Sequence, residues 1–410
     1  MKLFHLADLH LGKCIHGYSM VEMGDQPFWV GELLKKAEEM QPDAVLISGD
    51  VYDRAVPAKE AVTLLDDLLT GLSALKIPVL MIAGNHDSGA RLSFGGRLLS
   101  ENGIYIAGEP QRKAMCVTLQ DDLGPVHFWL IPYLFPAAVN QLLHREDLKD
   151  YDSAMREYLK LQDISWEDRN VVLTHQFVMA GAKKPEMGGS ETTVGGIGQI
   201  DSSVYEGFDY VALGHIHNAQ QMGKTSIRYA GSPLWYHFGE ANQKKGLTIV
   251  SIKDKGNVEV LVEEMPFLHK MAEISGTMEE LLKTEPEENS YLRVVIRQEI
   301  LPPQAVETLR DYFESKHCIL MEVARDFSCR KKGTVNDLAD VKSRSLEELF
   351  TEFYQYQHDG ELPEQALEDL ISYTAEQTRN SSREESEKEK SRSTRQLIDY
   401  AVKCGKERCL

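Results

Sequence analysis

The chain has 410 residues, 42% of them apolar and 27% charged, and 64 Asp and Glu against 45 Lys and Arg give it a formal net charge of −19. That length indicates two or three compact units, and the apolar share excludes wholesale disorder or a coiled-coil rod. The acidic balance argues against a polycation that coats nucleic acid or anionic membrane, but not against an enzyme whose acidic residues hold cations that meet phosphate.

Read from the N-terminus, short apolar runs ending in a polar cluster recur: Lys2–Leu6, Ala44–Ser48, Val79–Ala83, Val126–Ile131, Val171–Thr174, Tyr210–Leu213 and Leu247–Ile252. Their length and richness in Val, Ile and Leu predict buried strands. Helices are expected between the first three, over Pro27–Met40 and over Ala58–Leu75 after Pro57. Strands alternating with helices, then strands more closely spaced, predict an α/β layered sandwich with mixed β-sheets over residues 1–265. From Pro266 a β-α-β-α-β string predicts a small α+β domain over residues 266–331, with strands His269–Ser275, Tyr291–Arg297 and Cys318–Arg325. Residues 332–378 carry two amphipathic segments, one with Leu346, Leu349, Phe350, Phe353 and Tyr354 on a single stripe. Residues 379–395 are almost only Ser, Glu, Lys and Arg and read as a disordered charged linker, with 396–410 a tail of unassigned role.

No apolar run reaches the ~18–20 residues of a membrane span, and the run Met1–Asp8 reaches a charge too soon for a secretory leader, so none is expected there. Six cysteines lie scattered without a CxxC pair, the pattern of reduced thiols. A soluble, cytoplasmic protein is expected.

Five polar clusters sit where predicted strands end: Asp8-Leu9-His10, Gly49-Asp50, Gly84-Asn85-His86-Asp87, Thr174-His175-Gln176 and Gly214-His215-Ile216-His217. One such cluster alone is a turn or a hydrogen-bonded histidine. Together they are a ligand set, because loops at the carboxyl ends of α/β strands are where ligands bind. In Asp-x-His or His-x-His on extended chain both side chains project to one side. Carboxylate, amide and imidazole donors without a thiolate suit first-row divalent cations such as Mn²⁺, with Zn²⁺, Fe²⁺ or Mg²⁺ as alternatives. Asp8, His10, Asp50, Asn85, His175, His215 and His217 exceed what one ion needs, so two are expected, with Asp50 the natural bridge. Paired ions of that kind neutralise a phosphoryl group and activate water for in-line attack. His86, next to a ligand, fits as the acid that protonates the leaving group.

The order D-x-H, GD, GNHD, H, GHxH resembles that of the calcineurin-like metallophosphoesterase superfamily. The stretches Phe4–Gly12, Gly49–Arg54, Gly84–Leu92 and Ala230-Gly231-Ser232-Pro233 further resemble the SbcD-type nuclease subunits of bacteria. The resemblance implies Asp8, His10, Asp50 and His217 around one Mn²⁺ and Asp50, Asn85, His175 and His215 around the other, with His86 as proton donor. It also implies 3′-to-5′ double-strand exonuclease and single-strand endonuclease activity in DNA repair, recombination and replication. An SbcC-type coiled-coil ATPase would be the partner, docked through residues 332–378, and a homodimer would sit within a heterotetramer. Ala7 departs from the Ser or Thr of many relatives but removes no ligand. Asp53, Arg54, Arg91 and Lys13 are expected to orient the loops or meet a substrate phosphate. His16, Lys183, Lys184, Lys244 and Lys245 are further candidates for DNA contact. The rival readings are a stand-alone metallophosphatase or cyclic-nucleotide phosphodiesterase, and an inactive scaffold.

Overall fold

In the computed structural model, both faces of the strand Lys2–Leu6 are buried: Leu3 joins one apolar cluster, Phe4 and Leu6 another. Ala44–Ser48 and Val79–Ile82 divide the same way, with Ala44, Leu46, Leu80 and Ile82 facing inward and Val45, Ile47, Val79 and Met81 outward. Runs with no polar face are what parallel strands covered on both sides require. These three pair in parallel, at Leu3↔Ala44 and Val45↔Val79. Ile104–Ala107 extends the parallel edge, and Gly246–Ile252 and Val258–Glu264 complete the other as antiparallel strands, giving a six-stranded mixed sheet.

A second six-stranded sheet runs in the order Gln220–Met222, Lys224–Tyr229, Tyr210–Gly214, Arg169–His175, Gly124–Ile131 and Met115–Asp121. Its inner face, including Phe128, Leu173, Tyr210 and Ala212, packs on Leu3, Leu46 and Leu80 of the first. The outer face of the first sheet is covered by the helices Asp25–Met40 and Lys59–Ala74. In the latter Ala61, Leu64, Leu65, Leu68 and Leu72 form the buried stripe, and fully burying each leucine is worth roughly 1.5–3 kcal/mol. Pro136–Leu143 and Tyr151–Lys160 cover the second sheet through Val139, Met155 and Tyr158. The result is a helix–sheet–sheet–helix sandwich, the expected layered α/β fold.

Residues 270–325 build a three-stranded parallel sheet from Lys270–Gly276, Ser290–Ile296 and Ile319–Arg325. Leu281 of the helix Met278–Leu281 and Leu309 and Phe313 of Ala305–Glu314 pack on its Leu292 and Val294. Thr277 and Glu280 cap the shorter helix reciprocally. The structure describes residues 1–189, 198–298 and 301–326. The readings of 332–378, 379–395 and 396–410 lie outside them. Among the described residues no helix is long and apolar enough to cross a membrane.

Several elements were not expected. Met115–Asp121 and Val258–Glu264 carry polar residues at alternate positions because each is a border strand with a partly exposed face. A search for continuous apolar runs passes over such strands. Tyr151–Lys160 is equally polar on its outward side.

Candidate metal centre

Three parallel strands of the first sheet and two of the second end at the same edge of the sandwich. Asp8 and His10 follow Lys2–Leu6, Asp50 follows Ala44–Ser48, and Asn85 and His86 follow Val79–Ile82. His175 is the last residue of Arg169–His175, and His215 and His217 follow Tyr210–Gly214. Four of these side chains sit on backbone of positive φ: Asp8 at 53°, His10 at 42°, Asp50 at 49° and His215 at 100°. Such conformations cost of order 1–3 kcal/mol each and persist where surrounding bonds over-determine them. Here Asp8 N donates to Gly49 O at 3.0 Å and His10 N to Asp50 O at 2.9 Å, so the first two loops hold each other. His215 N donates to Asp8 Oδ1 at 3.0 Å, and His86 N to Asp50 Oδ1 at 2.9 Å. Asp87 ties the second loop to the third by accepting from the backbone N–H of Val51, Tyr52 and Gly84.

Glycines at the strand ends make room. A Cβ on Gly84 would stand 2.1 Å from Asp50 Oδ1, and one on Gly214 would stand 2.0 Å from Ser48 O and 2.7 Å from His175 Nδ1.

The donors converge. Within each of three trios the ligand atoms lie within 4.8 Å of one another: Asp8, His10 and His217; His10, Asp50 and His86; Asp8, Asp50 and His175. One oxygen, Asp50 Oδ2, is 3.7 Å from His10 Nε2 and 3.3 Å from His175 Nε2. Asn85 Oδ1 lies 3.1 Å from His175 Nε2 and 3.0 Å from His215 Nδ1. The Nε2 atoms of His10 and His217 face each other at 3.1 Å. Two rings have their other nitrogen tied down, His175 Nδ1 to Ser48 O at 2.8 Å and His217 Nδ1 to Glu240 Oε1 at 2.8 Å. Their Nε2 atoms therefore point into the cluster. His86 directs Nδ1 to Asp53 O at 2.9 Å and keeps its Nε2 4.0 Å from Asp50 Oδ2, on a side chain 38% exposed.

Electrostatics match a cation site. Burial drives His10 well below its ordinary value, and burial together with His175 lowers His215 to about 3, so both rings are neutral donors at pH 7. Burial pushes Asp8 up to about 6 against the pull of His175 and His217. Burial would lower His175 too, but the adjacent Asp50 carboxylate overrides it and holds that ring up to about 9. Burial works against Asp50 in turn, and the charge and hydrogen bond of His175 outweigh it, holding the carboxyl well below the usual range. Buried charges without a partner are costly, and the Nδ1 of His10 is buried with no hydrogen-bond partner among the described residues. Carboxylate oxygens, an amide oxygen and imidazoles fit first-row divalent cations, whose binding would displace the proton that Asp50 holds on His175.

The remaining expected site residues fall into three settings. Lys13 Nζ is 2.7 Å from Asp53 Oδ1, which lies 3.7 Å from His10 Nδ1, so Asp53 and Lys13 form a pair against the centre. Arg54 is 75% exposed, with Nε 3.5 Å from Asp53 Oδ2. Arg91 is exposed on the short helix Gly89–Leu92. Of the further DNA-contact candidates, Lys183, Lys184 and Lys244 are exposed, while His16 Nε2 lies 3.4 Å from Glu322 of the small sheet. Lys245 is a correction: it is buried, with Nζ bonded to Glu240, Ser232 and the His217 carbonyl, and presents no charge to a ligand. A basic doublet before a strand looks like surface, and only the fold shows that the second lysine turns inward. Sequence reasoning also missed Glu240, Gln26 and Tyr236. Gln26 and Tyr236 hold the first loop by donating to Leu9 O. The contacts span 23 residues for Glu240 to His217, 17 for Gln26 to Leu9 and 227 for Tyr236 to Leu9, and no spacing rule marks any of them. Ala230–Pro233 was the one nearby signal for the segment that carries Glu240.

Comparison with known proteins agrees with this geometry. Residues 1–219, more than half of the chain, match the family "Calcineurin-like phosphoesterase", and residues 268–358 match "Type 5 capsule protein repressor C-terminal domain". The chain is 31% identical over 288 residues to the SbcD subunit of the SbcCD nuclease of Staphylococcus epidermidis, covering 69% of this chain and 74% of that protein. A crystal structure of a Thermus thermophilus protein aligns at 10% identity and a TM-score of 0.36 over 64% of this chain and 98% of its own, a likeness too slight to carry an argument. By the profile over its first half and the relative matched over most of both lengths, the chain belongs to the calcineurin-like phosphoesterases and, within them, to the family of SbcD subunits.

Proposed function

We propose that the chain is the nuclease subunit of an SbcCD-type complex and hydrolyses DNA phosphodiester bonds with two divalent cations, Mn²⁺ foremost. The observation that carries the reading is Asp50 Oδ2, one carboxylate oxygen within 3.7 Å of a nitrogen from each of two donor groups. Asp8, His10 and His217 would complete one cation site, and Asn85, His175 and His215 the other. Such a pair, when bound, neutralises charge on phosphate oxygens and acidifies water at neutral pH. His86 stands beside that pair with Nδ1–H donated to the Asp53 carbonyl, an acceptor that suits the ring in either protonation state. With Nδ1 so engaged, Nε2 is the nitrogen turned towards the pair, and from the imidazolium form it would deliver a proton to the departing alkoxide. Asp53, fixed by Lys13, holds His86 through its backbone carbonyl.

The finer reading is a 3′-to-5′ exonuclease on duplex ends and an endonuclease on single strands and hairpins, in DNA repair, recombination and replication in the cytoplasm. An SbcC-type ATPase would dock on residues 332–378, and a homodimer would form the core of a heterotetramer. The name of the staphylococcal relative supports the subunit role. The C-terminal match over 268–358 supports a shared arrangement beyond the catalytic sandwich.

The test is cleavage of an end-labelled linear duplex in Mn²⁺, with and without an SbcC-type ATPase and ATP, beside Asp50→Ala and His86→Gln. Cleavage that Asp50→Ala abolishes is expected. His86→Gln should lose roughly 10²–10⁴-fold in rate while keeping its bound metal. Asp50-dependent release of phosphate from a small ester, with DNA intact in every lane, would replace the nuclease by a phosphatase.

A further inference from the structure

We propose that Glu240 is a positioning residue for the metal centre, and that Lys245 and the Ala230–Pro233 turn form with it a buried clamp that sets the ring of His217. This rests on the two-cation reading above. Glu240 is fully buried and 23 residues beyond His217 in the chain. Its Oε1 accepts from His217 Nδ1 at 2.8 Å, which leaves Nε2 as the nitrogen that faces Asp8 and His10. Its Oε2 accepts from Lys245 Nζ at 2.8 Å and from Tyr236 N at 3.2 Å, so the carboxylate is held at both oxygens. Lys245 does more than balance charge. Its ammonium also donates to the His217 carbonyl at 2.9 Å and to Ser232 Oγ at 2.7 Å, fixing the backbone of the residue whose side chain Glu240 fixes.

The turn closes the clamp. Ser232 N donates to His217 O at 3.0 Å. Gly231 has φ +78°, and a Cβ there would meet Ala219 N at 2.7 Å and His217 O at 2.9 Å, so the turn approaches the His217 backbone more closely than any other residue type allows. The motif that the sequence marked without a use thus has one. A carboxylate accepting from the far nitrogen of a metal-ligating imidazole fixes the tautomer and raises the basicity of the ligating nitrogen, and losing it costs roughly 10–100-fold in metal affinity. Lys245 keeps that carboxylate directed at His217 instead of entering the cluster as a third acidic ligand.

A buried ion pair also has a plain structural reading, and the test separates the two. Three full-length proteins are compared with the wild type: Glu240→Gln, Lys245→Met and the double substitution Glu240→Gln with Lys245→Met. The double variant removes both charges while keeping volume, so it retains the packing even where a single variant fails to fold. Calorimetric titration with Mn²⁺ should give an affinity roughly 10–100-fold weaker in Glu240→Gln and in the double variant. In metal-free protein, ¹⁵N shifts of the histidine rings should show His217 protonated on Nδ1 in the wild type and redistributed in both. Wild-type affinity and an unchanged His217 tautomer in a folded double variant would overturn the clamp and leave a structural ion pair. The ring-nitrogen readout needs neither DNA nor metal. A wild-type protein that binds Mn²⁺ without cutting DNA would therefore sink the nuclease and leave the clamp standing on its own result.

Discussion

At the scale of single residues, the centre is limited by space as much as by donors. Gly84 lies between the strand Val79–Ile82 and Asn85, and its missing Cβ is what lets Asp50 face both donor groups. A methyl at 2.1 Å from Asp50 Oδ1 has to displace that carboxylate or the Asn85 loop. The carboxylate accepts from His86 N and the two loops are tied by the three bonds that Asp87 accepts, so relaxation is resisted. Gly84→Ala should therefore bind markedly less Mn²⁺ than the wild type, as read by elemental analysis after dialysis, while its circular dichroism stays native. Full metal content in that variant would mean that the loops yield easily. The seven candidate donors were legible in the sequence because each ends a buried strand or follows one within a few residues. Glu240 was not, since the contact that gives it meaning joins two loops through tertiary structure.

At the scale of elements, the helix Asp25–Met40 links the catalytic sandwich to the small parallel sheet. Asp25, in its first turn, is buried and accepts from the phenol of Tyr291 and from His269 Nδ1 at 2.9 Å. A carboxylate there also meets the positive end of the helix dipole. His269 and Tyr291 stack at 4.6 Å between ring centres, and both belong to the segment entering or forming that sheet. Neither residue stands out in sequence, although the strands around them did, because an aspartate opening a helix and an aromatic in a strand are each locally ordinary. Tyr291→Phe removes one donor from a buried carboxylate, which costs roughly 1–3 kcal/mol. Urea unfolding should show that loss in the single transition of the whole catalytic unit. If only a minor transition moves and the sandwich unfolds as before, the small sheet is energetically independent. The five parallel strands whose ends carry the candidate donors were read to within a residue or two, whereas the short buried parallel strand Ile104–Ala107 was passed over. The border strands Met115–Asp121 and Val258–Glu264 were passed over because half of each faces water.

At the scale of the whole molecule, the two sheets meet over a core that is not wholly apolar, and this gives stability a defined pH dependence. His5 lies fully buried between the sheets, with Nδ1 2.9 Å from the Tyr210 hydroxyl. Burial, helped by the charge of Arg228, lowers it to about 3 from an ordinary value of 6.5. The folded state therefore leaves His5 neutral where the unfolded chain protonates it, and unfolding takes up a proton between those limits. Stability falls as pH drops from about 6.5 towards about 3 and is insensitive to this group above 6.5. Asp121 adds a second, lower limb. Its bidentate pair with Arg169, at 2.6 and 3.0 Å, and then the N-terminal ammonium hold its carboxyl below the usual range. That contribution is present above the unfolded carboxyl value of about 3.9 and is lost as pH falls through the folded one. His5→Asn keeps a polar partner for Tyr210 but cannot take up the proton. Its unfolding free energy, measured by urea titration from pH 7.5 to 4.5 in metal-free protein, should show a shallower slope than the wild type whatever its absolute stability. Asp121→Asn should leave the slope above pH 5 unchanged. Equal slopes for His5→Asn and wild type would mean that His5 is protonated in the folded core, and that the Tyr210 hydroxyl and not burial governs its charge.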